Sequence, residues 1–178
     1  MIRGLVLIAL TLATGCVVGL GGGGGFTRGD PPPSTTADGF YSRFSAGGGY
    51  GTKSVIGQVL GEAAYVGSRL VGGAAVELAV IPRPEEVVSP STDYKGQGHR
   101  GVALLGRSAY YAGADDLRAL ELGVGAGLAS WLPEHGAISG GVYLTSYRLD
   151  EPGGTVSWSH GIVVSFTVAI MAAIRTPR

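Results

Sequence analysis

The chain has 178 residues, enough for one domain, and its 13 basic and 13 acidic side chains give a formal net charge of zero. This balance gives no indication of a nucleic-acid partner. Glycine is abundant, with 33 residues, but its positions fit neither a collagen repeat nor a disordered composition, so most of the chain is expected to fold.

The N-terminal residues have the order of an export signal. Arg3 precedes an apolar run from Leu5 to Leu12, which ends in small residues before Cys16. A charged, then apolar, then small region is typical of a secretory signal peptide. The apolar part is shorter than the roughly 20 residues of a membrane-spanning helix. We therefore expect residues 1–15 to be removed as a signal peptide.

The cleavage region, Leu12-Ala13-Thr14-Gly15-Cys16, resembles the lipobox of bacterial lipoproteins. The resemblance implies cleavage before Cys16 and acylation of that cysteine. It departs from the commonest pattern, because Ala13 stands three residues before the cysteine and the leucine lies one place earlier. Cys16 is the only cysteine and cannot form an internal disulfide, which favours lipidation over an incidental cysteine behind an ordinary signal peptide. By the same resemblance, a valine rather than an aspartate at position 17 favours location in the outer membrane.

Two stretches of simple composition follow the cysteine. Gly21 to Gly25 and Pro31 to Pro33 predict a linker that is flexible in its glycine part and stiffer in its proline part. Residues 16–39 are therefore predicted to be a tether and residues 40–178 the folded domain. A nucleotide-binding loop is excluded, because no strand pattern precedes the glycine run and no helix pattern follows it.

From Phe40 onward, apolar residues alternate with small or polar ones. In 117–132, for example, Leu120 and Leu122 alternate with Glu121 and Gly123, which is the period of a strand with one apolar face. Similar segments are found at 40–51, 54–65, 67–81, 98–111, 136–149 and 155–171. The pattern does not assign a face in 54–65, and Pro82 to Gly98 is predicted to be a long loop.

Long strands joined by short turns, without helices between them, predict an all-β fold. We expect an antiparallel meander closed into a small barrel of about eight strands, and each segment is long enough to cross a membrane in such a barrel. Only seven strands are apparent, whereas bacterial barrels have even numbers. An eighth strand lies in the glycine-rich start or in the 82–97 loop, or else the domain is a soluble barrel or sandwich. The segments resemble small outer-membrane barrel proteins, although the chain lacks their typical C-terminal aromatic residue.

In a membrane barrel the even-numbered apolar face would meet lipid. The charged residues Arg43, Arg69, Glu77 and Glu121 would then face the lumen, where charges are expected to pair with each other or with water. A ligand or ion path through the lumen is the alternative. Aromatic residues near strand ends are expected to form girdles at the two membrane interfaces, with core packing as the alternative. These residues are Phe40, Tyr41, Tyr50, Tyr65, Tyr110, Tyr111, Trp131, Tyr147 and Trp158.

Candidate catalytic and metal-binding residues are few. His99, His135 and His160 are far apart and lack zinc-site spacing. Ser159 and His160 are neighbours, but adjacent strand residues point to opposite faces, and no acidic partner is marked by spacing. We therefore expect no enzyme activity, no metal and no cofactor, with Cys16 as the one functional residue.

Two functions fit these observations. The first is a lipid-anchored outer-membrane β-barrel with a structural or surface-interaction role, whose partner is membrane lipid bound through acylated Cys16. The second is a periplasmic or surface-tethered soluble barrel that binds an apolar or amphipathic ligand in its interior. The sequence leaves both open.

Overall fold

A computed structural model of the chain describes residues 17–30, 39–66, 69–88, 97–132, 136–151, 153–154 and 156–171. These residues form nine strands: β1 (Val17–Asp30), β2 (Gly39–Gly51), β3 (Val55–Val66), β4 (Arg69–Val80), β5 (Glu85–Val88), β6 (Gln97–Gly113), β7 (Arg118–Leu132), β8 (Gly136–Asp150) and β9 (Val156–Met171). One 3-10 turn, Ala114–Asp116, joins β6 to β7. Within these ranges, no helix is long and apolar enough to cross a membrane.

Eight of these strands form a closed antiparallel barrel. Each of these eight strands pairs with the next of the eight along the chain, and β9 returns to pair with β1. On the other side of the barrel, β4 pairs directly with β6. The short strand β5, which lies within the predicted 82–97 loop, pairs only with the start of β6. The predicted all-β, eight-stranded antiparallel barrel is therefore confirmed.

The eighth strand is β1, and it contains the glycine run. The prediction that Gly21 to Gly25 is a flexible linker is wrong, because Gly21 lies opposite Ser45 of β2 and Thr167 of β9. A glycine run has no strand preference of its own, but the two neighbouring strands provide hydrogen-bonding partners on both edges. The barrel therefore begins at Val17 rather than at residue 40. The proline part of the predicted tether and residues 1–16 lie outside the described residues.

Residues of β1, β2 and β9 meet at one end of the barrel, which we call the terminal rim because it includes Val17 and Met171. The other end, which includes Asp30, Gly113 and Asp150, is the distal rim. Both ends of the described chain therefore lie at the same end of the barrel.

The predicted faces of the strands are confirmed. In β4, β7, β8 and β9 the even-numbered apolar side chains lie on the outer surface and the odd-numbered ones in the interior. In β3 the parity is reversed, so that Ile56 and Leu60 are buried inside while Val59 is exposed outside. Both faces of β3 carry apolar residues, which is why alternation alone could not assign them.

The aromatic residues divide between the two faces. Tyr50, Tyr65, Tyr110 and Trp158 are exposed on the outer surface, as expected of a girdle. The girdle prediction is wrong for four others, because their odd-numbered positions direct the rings into the interior; these are Tyr41, Tyr111, Trp131 and Tyr147. The side chain of Phe40 lies outside the description.

Candidate functional site

The centre of the barrel contains a charged cluster formed by five strands. Its members are Arg43 of β2, Glu62 of β3, Glu77 of β4, Arg107 of β6 and Glu121 of β7. Each occupies an inward position of its strand, and none is more than 7% exposed. Two arginines and three glutamates give this cluster a formal net charge of −1. We call these five residues the ionic cluster.

Arg107 connects all three carboxylates of the ionic cluster. Its Nη1 donates a hydrogen bond to Glu77 Oε1 at 2.6 Å, and its Nη2 donates to Glu62 Oε2. Its Nε lies 3.1 Å from Glu121 Oε2. A planar guanidinium presents several N–H groups in a fixed fork, so a single arginine can contact carboxylates from β3, β4 and β7 at the same time.

Arg43 makes the second set of connections. Its Nη2 donates to Glu77 Oε1 at 3.1 Å and to Ser165 Oγ at 2.6 Å, and its Nη1 donates to Glu121 Oε1 at 3.4 Å. The hydroxyl of Tyr111 lies 2.8 Å from a carboxylate oxygen of both Glu62 and Glu121. Buried ion pairs must offset a large desolvation cost, and these additional hydrogen bonds help to offset it.

Apolar side chains close the lumen on both sides of the ionic cluster. Toward the distal rim it is bounded by Tyr41, Tyr111, Tyr147, Leu117 and Leu149, and toward the terminal rim by Ile56, Ile81, Leu105, Trp131 and Tyr143. An eight-stranded barrel is just wide enough for its side chains to fill. The interior therefore forms a packed plug, and the predicted pairing of lumenal charges is confirmed for Arg43, Glu77 and Glu121.

The sequence analysis missed two members of the ionic cluster. Glu62 lies on β3, whose faces could not be assigned from the sequence. Arg107 occupies an odd position in β6, and this parity could have indicated that it faces the interior. Arg69 was grouped with the lumenal charges but is only partly buried and lies at the distal rim. Its Nη1 has no hydrogen-bond partner within the described residues.

The outer wall is mainly apolar. Its exposed large side chains include Leu122, Val124, Leu128, Ile138, Val142, Leu144, Ile162, Val164 and Phe166, with exposed fractions from 49% to 69%. Soluble monomers rarely expose a continuous apolar patch larger than a few hundred Å². The outer wall therefore differs from the surface that is typical of a soluble monomer.

A polar pair interrupts the apolar wall near the distal rim. Ser146 Oγ lies 2.9 Å from His160 Nδ1, on adjacent strands β8 and β9. Ser159 is buried inside, so the prediction that Ser159 and His160 point to opposite faces is confirmed. Among the described residues, no hydrogen bond or salt bridge joins His160 to a carboxylate that could orient it as a general base.

The remaining candidate residues do not converge on one site. His99 is partly buried on β6, far along the chain from His160, and His135 lies outside the described residues. In the part of the chain that the structure describes, no three metal-ligating side chains come together. Cys16 also lies outside the description, but it directly precedes Val17, the first residue of β1 at the terminal rim.

Comparison with known proteins gives only remote similarities. No family model matches the sequence, and no curated protein matches it. Among solved structures, the chain is similar to Neisserial surface protein A (NspA), with 16% identity, 87% of this chain and 97% of that chain covered, and a TM-score of 0.39. It is also similar to the N-terminal β-barrel domain of Pseudomonas aeruginosa OprF, with 14% identity, 85% and 96% coverage, and a TM-score of 0.30.

Proposed function

We propose that this chain is a bacterial outer-membrane β-barrel that spans the membrane and has a structural or surface-interaction role. The observation that carries this proposal is the distribution of polarity. The barrel is apolar outside and contains buried charges inside, as exemplified by exposed Leu122 and buried Glu121. A membrane barrel has this arrangement, because its outer face meets hydrocarbon and its interior does not.

The height of the apolar wall supports the same proposal. On β7 the outward apolar positions run from Leu120 to Leu128. With a rise of about 3.3 Å per residue and a strand tilt of about 40°, this stretch spans about 20 Å. The lipid-facing band of outer-membrane barrels is about 25 Å tall. The exposed rings of Tyr110 and Trp158 lie in the same row of the sheet as Leu120, at the distal end of this stretch, where an interfacial girdle is expected.

The alternative, a soluble barrel with an apolar ligand in its interior, receives no support from the described residues. The ionic cluster occupies the middle of the lumen, and packed side chains such as Tyr147 and Trp131 fill it on either side. An apolar ligand would have to displace buried ion pairs, which costs several kcal/mol. The packed lumen also argues against an open channel.

Refolding with and without lipid tests the proposed membrane location. We expect the chain from residue 16 onward to gain strand structure, measured by circular dichroism, in detergent or lipid vesicles but not in aqueous buffer. Cooperative folding in buffer alone would contradict the proposal. The fragment must retain β1, because a chain that begins at residue 40 lacks the strand that closes the barrel.

We also propose that acyl chains on Cys16 anchor the barrel. The support is the lipobox resemblance and the lack of a second cysteine. Each buried methylene contributes roughly 0.8 kcal/mol, so several chains would add a firm anchor beside the terminal rim. Mass spectrometry of the native protein should find an acylated residue 16 at the N-terminus, and Cys16→Ser should accumulate as an uncleaved precursor. An unmodified N-terminus beyond residue 16 would contradict lipidation.

A further inference from the structure

Three polar residues lie side by side on the outer wall. The strand register places Arg28 of β1 opposite His160 of β9, and His160 opposite Ser146 of β8. Arg28 and His160 are exposed, and Ser146 is partly buried. The next row toward the terminal rim is apolar and consists of Phe26, Ile162 and Leu144. We call Arg28, Ser146 and His160 the polar row.

The polar row lies just below the girdle of the distal rim. Trp158, which is two residues from His160 on β9, is exposed and lies opposite Arg148 of β8. Two residues along a tilted strand correspond to about 5 Å of depth. Because exposed aromatic rings mark the boundary between headgroups and hydrocarbon, the polar row lies about 5 Å to the hydrocarbon side of that boundary, a depth from which a long arginine side chain reaches back to the headgroups.

Two adjoining depressions flank the polar row. One extends from Gly106 across Leu122 and Leu144 to His160, and the other lies between Gly24, Arg28 and His160. His160, Gly161 and Ile162 border both depressions. At Gly106 the surface is open, since even an added Cβ would meet no atom within 4 Å. A depression with an apolar floor and a polar edge suits a molecule with a chain and a headgroup.

The chemistry of the polar row favours a phosphate-bearing anion. The Ser146 hydroxyl can donate to His160 Nδ1, which leaves Nε2–H of the imidazole free to donate to a ligand. Among the residues whose side chains the structure describes, which do not include Asp30, no salt bridge joins Arg28 to a carboxylate. An arginine on the lipid-facing wall is costly unless it reaches water or pairs with an anion, and a guanidinium binds phosphate oxygens through two parallel hydrogen bonds.

We propose that the polar row and its two depressions bind an anionic membrane lipid, with the phosphate on Arg28 and His160 and an acyl chain along Leu144 and Ile162. This inference rests on the proposed membrane location of the barrel. It assigns a lipid site to the outer wall, separate from the acyl anchor proposed at Cys16.

Native mass spectrometry of the folded chain in detergent tests the site. Titration with dioleoylphosphatidylglycerol should give tighter binding than titration with the zwitterionic dioleoylphosphatidylcholine. Arg28→Gln should weaken binding of the anionic lipid about fivefold, the factor that corresponds to the roughly 1 kcal/mol contributed by a basic residue at an anionic surface. His160→Gln should weaken it as well.

Arg100→Gln is the matched control. It removes one positive charge from an exposed residue of β6 near the terminal rim, where Arg100 Nε lies 3.9 Å from Glu85 Oε2. Binding should be unchanged in this variant. Equal weakening by Arg28→Gln and Arg100→Gln, or equal binding of the two lipids by the unaltered chain, would overturn the proposal. Displacement of the lipid by inorganic phosphate at the same concentration would also overturn it, since the acyl chain would then contribute nothing.

The mobility of the unheated chain on a gel, recorded for each variant before lipid is added, separates two kinds of failure. A chain that does not fold in detergent contradicts the proposed membrane barrel. If the chain folds but Arg28→Gln binds the anionic lipid as tightly as Arg100→Gln does, only the lipid site is contradicted.

Discussion

Replacement of Val124 by arginine tests whether the outer wall meets lipid. Val124 is 67% exposed and lies between Gly106 of β6 and Leu144 of β8. It occupies the middle of the outward stretch of β7, between Leu120 and Leu128. On the lipid face of a barrel, arginine costs about 2–4 kcal/mol at the bilayer midplane and about 0–1 kcal/mol near an interface. On a wall in water, an exposed substitution changes the free energy of unfolding by only about 0.5 kcal/mol.

The assay is urea unfolding of the chain in lipid vesicles, followed by tryptophan fluorescence. We expect Val124→Arg to lower the free energy of unfolding by about 2–4 kcal/mol and Leu132→Arg, at the end of β7, by less than about 1 kcal/mol. Leu122→Arg should fall between them, because Leu122 lies opposite Ser146 of the polar row. Val124→Ala is the control for loss of the side chain, and its cost should be small, since fluid lipid fills the space.

Two results would refute this reasoning. If Val124→Arg and Leu132→Arg both leave the free energy of unfolding nearly unchanged, the wall meets water. A large cost of Val124→Ala, comparable with that of Val124→Arg, would mean that the valine packs against another protein surface rather than against lipid.

Three further predictions concern the interior and the closure of the barrel. Arg107→Ala leaves three buried carboxylates without their shared partner and should cost about 3–5 kcal/mol in urea unfolding. Arg148→Ala, at an exposed ion pair, should cost less than about 1 kcal/mol, and equal costs would contradict the stabilising role of the ionic cluster. Gly23→Leu should reduce the folded fraction seen by gel mobility, because its Cβ would lie 2.7 Å from the Val164 carbonyl oxygen, while Gly106→Ala should leave that fraction unchanged. The chain should show no steady ion conductance in planar bilayers, and stable conductance steps would disprove a filled lumen.

The sequence predicted the fold wherever the two faces of a strand differ in polarity. In β7 the contrast between Leu122 and Glu121 separates an apolar face from a polar face without any tertiary information. In β3 that contrast is missing, because the inward Ile56 and the outward Val59 are both apolar. The face of β3 depends on its pairing with β2 and β4, which alternation within one segment does not contain.

Strand β1 could not be identified from local sequence for a different reason. Glycine has no side chain, so a run of five glycines carries no alternation and has the composition of a linker. Only the pairing with β2 and β9 makes it a strand. The sequence did indicate that a strand was missing, since seven is an odd number, and the glycine-rich start was one of the two places considered.

The candidate site was predictable only in part. The inward position of Arg43, Glu77 and Glu121 followed from their shared odd parity, but parity alone did not show which of the lumenal charges pair, since Arg69 has the same parity and lies outside the ionic cluster. The contact between Ser146 and His160 joins residues of two strands, so it depends on the register of β8 against β9 and is invisible in either strand alone. The same holds for Arg28, whose place beside His160 is set by the register of β1.

The pairing of β1 with β9 also determines the order in which the chain can assemble. Val17 lies opposite Met171, so this ladder joins the first described residue to the last, and closing so large a loop carries a high entropic cost before any contact repays it. The hairpins β3–β4 and β7–β8 need only their own short turns. During synthesis the N-terminal strand must therefore remain without its second neighbour until β9 has been made, and in that interval the backbone N–H and C=O groups of its glycine run are open to incorrect strand partners.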